Sequence, residues 1–126
     1  MKTVINTPNA PAPIGPYNQA ILKNDTLFIS GQIALDPATM ELVQDDIATE
    51  TRRCMENLRA ILSEANMNFG HVVKTSIFLK DMHQFAAVNE IYGAYFQGEI
   101  PPARETVEVG NLPKFVNVEI SMIAMR

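Results

Sequence analysis

A single cysteine, Cys54, two histidines, His71 and His83, and no tryptophan occur in the 126 residues. One thiol excludes an intramolecular disulfide and any zinc site built from several cysteines. Two isolated histidines do not suggest a metal centre. There is no surplus of positive charge: the formal net charge is −4. Lysine and arginine supply most of the affinity for phosphate backbones, so a general nucleic-acid surface is not expected. No apolar run approaches ~18 residues, so nothing spans a membrane. Lys2 is not followed by an apolar stretch, so no signal peptide is read. The expectation that remains is a soluble, cytoplasmic protein. Its 47% hydrophobic and 19% charged residues argue against disorder and for a real core within one domain, residues 1–126.

The stretch Pro101–Val109 organises the rest. Two prolines cannot continue a helix, so the chain turns extended there. Ala103, Glu105, Val107 and Val109 then point one way, and Arg104, Thr106 and Glu108 the other. Arg104 follows a rigid bend at the start of a strand, where a guanidinium could receive a planar anion. A solvated arginine on a strand edge fits the same pattern.

Residues 3–6 can form a short strand. Pro8, Pro11, Pro13 and Pro16 make the next segment ordered loop rather than helix. Tyr17 follows a Gly-Pro turn and is read either as a loop anchor or as a site residue. Tyr17–Lys23 and Thr26–Ala34 pair around Asn24-Asp25 as a hairpin. Ser30 and Gly31 interrupt the second strand, marking a bulge or a place where something approaches the backbone. Asp45 or Asp46 caps a helix whose apolar stripe is Ile47, Thr51, Cys54, Leu58, Ile61, Leu62 and Ala65, with Glu50, Arg52, Arg53, Glu56 and Arg59 facing outward. Cys54 lies on the stripe and reads as a small buried hydrophobe. Asn66 or Gly70 ends the helical region. His71–Lys80 is a β-branched strand with His71 at the surface. Asp81 caps a second helix, about 84–97, with Phe85, Val88, Tyr92, Tyr95 and Phe96 as its stripe and Asn89 pointing inward beside them. The last strand is 115–125. One of its faces is wholly apolar; the other carries Phe115, Asn117, Glu119, Ser121, Ile123 and Met125. A carboxylate beside Ile123 and Met125 implies a partly covered face, with Glu119 paired or chemically used.

The order β-β-β-α-β-α-β-β implies an α+β fold: one mixed sheet with two helices packed on one face. The opposite face has no internal cover, which an oligomer would supply.

The motifs Ala12-Pro13-Ile14-Gly15-Pro16-Tyr17-Asn18-Gln19-Ala20, Ile29-Ser30-Gly31-Gln32-Ile33, Phe78-Leu79-Lys80-Asp81-Met82, Asn89-Glu90-Ile91-Tyr92, Pro102-Ala103-Arg104 and Val118-Glu119-Ile120 are, as an ordered set, specific. On them the chain resembles the RidA (YjgF) family of reactive-intermediate imine deaminases, whose fold is similar to that of the trimeric chorismate mutases. The resemblance implies a homotrimer with sites between subunits, hydrolysing short 2-imino acids to 2-keto acids and ammonia. It implies no metal, cofactor or covalent nucleophile. By family pattern Arg104 binds the substrate carboxylate and Glu119 handles the water, while Tyr17, Ser30, Gly31, Asn89 and Tyr92 shape the pocket. Thr106 stands where members often carry a cysteine near the substrate nitrogen, which leaves substrate range open. Two other readings compete: a small-carboxylate or keto-acid binding protein without turnover, and RNA cleavage or translation inhibition, which the negative charge and lack of a basic stripe disfavour.

Overall fold

The computed structural model describes residues 1–126. Strands β1 (Thr3–Ile5), β2 (Ala20–Lys23) and β3 (Thr26–Gln32) are followed by helix α1 (Ile47–Glu64), strand β4 (Val72–Leu79), helix α2 (Phe85–Ala94), and strands β5 (Ala103–Glu108) and β6 (Val118–Met125). They form one six-stranded sheet in the order β1-β2-β3-β6-β4-β5. Every neighbouring pair is antiparallel except β4 and β5, which are parallel and joined through α2. The fold is α+β, with α1 packed on β6 and β3 and against α2.

Local chemistry explains the elements. Asn24 and Asp25 both take left-handed backbone, φ 50° and 65°, which a two-residue hairpin turn needs to follow the strand twist. Asp46 caps α1, its side chain accepting the Thr49 N–H at 2.7 Å. Asn66, φ 58°, turns the chain out of the helix. The helix-facing side of the sheet presents Thr75, Ile77, Leu79, Val118, Ile120, Met122 and Ala124, all buried. The apolar members of this row join Cys54, Leu58, Ile61 and Leu62 of α1, Val88 and Tyr92 of α2, and Phe96 just beyond it, in one 23-residue cluster. Burying a side chain of this size stabilises the fold by about 1.5–3 kcal/mol.

Several sequence expectations need correction. The first hairpin strand begins at Ala20, not Tyr17, because the Gly15-Pro16 bend leaves Tyr17 in a turn that closes on the Gly15 carbonyl. Helix α2 stops at Ala94 and unwinds through turns to Gly98, φ 80°. Asp81 caps a separate 3₁₀ turn, Met82–Gln84, ahead of α2. The last strand begins at Val118, since Pro113–Phe115 form another 3₁₀ turn with Lys114 and Phe115 both at φ 55°. Glu50 is fully buried rather than outward, and its carboxylate receives Asn117. Asn89 is exposed rather than inward: α2 buries the line through Val88 and Tyr92, and Asn89 lies to the side of it, over the open β5 edge. His71 is half-buried, its Nδ1 accepting the Asn68 N–H at 3.0 Å.

The proline-rich loop is held by a residue the sequence reading passed over. Gln19 is buried; its Oε1 accepts the Thr7 N–H at 2.7 Å and its Nε2 donates toward the Thr7, Ala10 and Pro11 carbonyls at 3.0–3.2 Å. Removing it strands those buried groups. Gln19→Leu is therefore expected to lower unfolding free energy by about 1–3 kcal/mol, measured by denaturant titration.

Candidate functional site

The expected site residues gather in two places. The first is a pocket of about 600 Å³ between the proline-rich loop and the sheet face away from the helices, lined by Tyr17, Ser30, Gly31 and Glu119 together with Pro113 and Lys114. The second is a cleft of about 590 Å³ between α2 and the start of β5, lined by Asn89, Tyr92, Pro101, Pro102 and Arg104.

In the first pocket a β-bulge does the positioning. Between Ile29, opposite Met122, and Gln32, opposite Ile120, β3 carries an extra residue. The bulge sets Gly31 directly against the Glu119 carboxyl. A Cβ built on Gly31 would lie 2.8 Å from Glu119 Cδ and closer still to Oε2. The glycine is required by this close approach and not by its backbone angles. Glu119 is half-buried, and burial raises its pKa above the ordinary carboxylate range. Ser30 Oγ donates to the Asn18 carbonyl at 2.6 Å, which leaves its lone pairs free. Tyr17 Oη accepts the Ile14 N–H at 3.3 Å and keeps its own proton to donate.

In the second cleft Arg104 is held without an acidic partner. Its Nη1 donates to Asn89 Oδ1 at 2.7 Å. Its guanidinium carbon lies 5.1 Å from the centre of the Tyr92 ring and 5.6 Å from that of Phe85, within cation–π range. Tyr92 donates in turn to the buried Thr75 hydroxyl at 3.0 Å. Burial raises the Tyr92 pKa, so the phenol stays protonated. One N–H of the guanidinium is committed to Asn89, and much of the planar fork is left to meet an anion.

The two places lie on opposite sides of the sheet. Arg104 pairs with Thr75, whose side chain faces the helices; Glu119 pairs with Phe78, one residue out of phase with that row. A single chain thus does not bring Arg104 and Glu119 together. Thr106 belongs to neither place. It lies two residues along β5, opposite Ile77, with its hydroxyl buried and without a hydrogen-bond partner.

The face bearing Glu119 also leaves Phe28, Val107 and Met125 about half exposed. Cys54 is fully buried, its Sγ 3.9 Å from the Val118 carbonyl, and burial pushes the thiol pKa far up. No three His, Cys, Asp or Glu side chains converge as a metal site would need. No helix is long and apolar enough to cross a membrane.

Sequence reasoning missed Gln19, Thr75, Glu50 and Lys114. For Glu50 the signal was present: it stands four residues before Cys54, on the flank of the α1 stripe.

Comparison with known proteins shows the family of the chain. The family model described as endoribonuclease L-PSP matches residues 7–126. A RutC family protein of Pyrococcus horikoshii is 52% identical over 126 residues, covering 100% of this chain and 99% of that protein. The mouse 2-iminobutanoate/2-iminopropanoate deaminase is 45% identical, covering 100% and 93%. The crystal structure of E. coli TdcF with bound serine superposes with a TM-score of 0.95 at 37% identity, covering 98% of each chain. The matched residues and the shared sheet agree with the motifs read from the sequence, and the chain belongs to the endoribonuclease L-PSP family, the RidA (YjgF) family.

Proposed function

We propose that the protein hydrolyses short 2-imino acids, such as 2-iminopropanoate and 2-iminobutanoate, to 2-keto acids and ammonia. The observation that carries this reading is Glu119: a half-buried carboxylate with a raised pKa, lodged against a residue without a side chain, in a pocket that admits a small molecule. Relatives named for this activity at 44% and 45% identity support it, as does a relative that binds serine, itself a small 2-amino acid.

The substrate sets a carboxylate beside a C=N carbon. Arg104 takes the carboxylate through two parallel N–H bonds and so fixes that carbon. Glu119 accepts a proton from water as the oxygen bonds to the carbon and the C=N π electrons move to nitrogen, and it then returns that proton to the nitrogen. In the resulting carbinolamine Glu119 takes the hydroxyl proton as the C=O forms and passes it to the amine, which leaves as ammonia as the C–N bond breaks. Tyr17 and Ser30 supply a donor and an acceptor around the polar substrate. Asn89 and Tyr92 hold the Arg104 fork. Thr106, two residues along β5 from Arg104 and on the same side of the strand, contacts the substrate beside the carboxylate fork in this scheme.

Because Arg104 and Glu119 occupy opposite faces of one sheet, the scheme requires a second copy of the chain to join the halves. In a homotrimer each cleft would take Arg104 from one protomer and Glu119 from the next, and the half-exposed Phe28, Val107 and Met125 would be covered. RNA hydrolysis has less support. The chain is acidic, and its histidines are separate, His83 paired with Asp81 and His71 with Asn68.

The test is direct. With 2-aminoacrylate generated in situ from an amino acid, the purified protein is expected to speed release of keto acid and ammonia. Ligand-dependent thermal stabilisation by a short 2-keto acid without any such acceleration would favour a binding protein instead.

A further inference from the structure

We propose that the buried pair Glu50 and Asn117 is a clamp that positions Glu119 and the rim of its pocket. This rests on the reading of Glu119 as the base in imine hydrolysis.

Glu50 has no solvent exposure, and no arginine or lysine neutralises it by direct contact. Its carboxylate is instead filled by one residue: Oε2 accepts the Asn117 backbone N–H at 2.8 Å and Oε1 accepts Asn117 Nδ2–H at 2.8 Å. A buried charge is tolerated only when its oxygens are satisfied, so two matched donors are a strong constraint on where Asn117 sits. The Asn117 carbonyl is held as well, accepting the Lys80 N–H at 2.9 Å. Asn117 is thus tied to α1 and to the end of β4 at once.

The chain on either side of Asn117 shows what the clamp holds. Just upstream, Lys114 and Phe115 both sit at φ 55°, a left-handed conformation that costs free energy for side chains of this size. Phe115 is 77% exposed, so its own packing does not enforce that backbone. The turn is closed by its own hydrogen bonds, Phe115 N–H to the Leu112 carbonyl at 2.9 Å and Val116 N–H to the Pro113 carbonyl at 3.3 Å, and its downstream end is anchored by the buried Val116 and the clamped Asn117. Pro113 and Lys114 of this turn form part of the pocket wall, along with Tyr17 and Ser30. Two residues downstream is Glu119, whose carboxyl must meet Gly31 without overlap. A slip at Asn117 would therefore move the rim and the carboxylate together. Arg104, on the other side of the sheet, would not be displaced.

The test uses polarity reversal. Asn117→Asp sets two carboxylates against each other and removes the Nδ2–H donor. Glu50→Gln keeps both bonds once the Asn117 amide turns over, and should retain most of the wild-type kcat. The double variant N117D/E50Q restores two bonds, with the amide introduced at position 50 now donating to the new carboxylate. N117D is expected to lower kcat for 2-aminoacrylate-derived imine about 10- to 100-fold with KM little changed, and the double variant to recover it. A folded N117D with wild-type kcat, or a double variant no better than N117D, would overturn the clamp. If N117D does not fold, the crystal structure of Asn117→Ala decides: Glu119 still packed on Gly31 beneath an unmoved Lys114 turn would overturn it, and their displacement would support it. Lack of turnover by the wild type counts against the proposed reaction alone, and the Asn117→Ala structure still decides the clamp.

Discussion

Arg104→Ala is expected to lower kcat/KM for imine hydrolysis by at least about 100-fold while leaving the fold intact. The side chain contributes to no core cluster, so thermal unfolding should hardly change. What is lost is a planar cation already set in place, with one N–H on Asn89 and its face against Phe85 and Tyr92. Arg104→Lys should not rescue the reaction. An ammonium keeps the charge but cannot present two parallel donors to a carboxylate, and the C=N carbon would no longer be held toward the water. Steady-state release of keto acid measures both variants. Wild-type turnover by Arg104→Ala would remove the carboxylate clamp from the mechanism.

Glu119→Gln is expected to lower kcat by about 100- to 10,000-fold, the range for loss of a general base, and at the same time to raise the melting temperature at neutral pH. Burial raises the Glu119 pKa in the folded state above its unfolded value. The folded protein therefore binds that proton more tightly. The stability this contributes is fully present below the ordinary carboxylate range and is lost as pH rises through the raised pKa. At neutral pH the ionised side chain is a net cost, and the amide removes it. The gain should disappear in thermal scans below the ordinary carboxylate range. The wild-type rate has the opposite dependence, rising with pH through the same ionisation because the base must be unprotonated. A variant both inactive and less stable at neutral pH would show that the carboxylate is held by something other than the pocket.

The elements were legible in the sequence wherever a period was sustained. The alternation from Val116 to Ala124 and the Cys54–Leu58–Ile61–Leu62 stripe each reflect one face against one core, and the structure uses them so. Asn24-Asp25 was readable because few residue pairs accept two left-handed angles in succession. The failures share a cause. Glu50 is placed by a partner distant in sequence, Asn89 by the lack of a covering element, and Tyr17 by a tight bend just before it, none of which hydrophobic spacing encodes. The Gly15-Pro16 bend takes Tyr17 out of the strand, the open β5 edge frees Asn89, and Asn117 draws Glu50 inside. For the site, residue types and strand phases were legible in Arg104 and Glu119. Their placement on opposite faces follows from sheet order, which only the folded chain displays.

The sole thiol of the chain has a use unrelated to chemistry at the site. Cys54 is sealed under β6 with its ionisation suppressed, so an external disulfide reagent can modify it only while α1 is lifted off the sheet. With no other sulfhydryl to confuse the signal, the rate of modification becomes a clock for opening of the interior, readable in native buffer without denaturant.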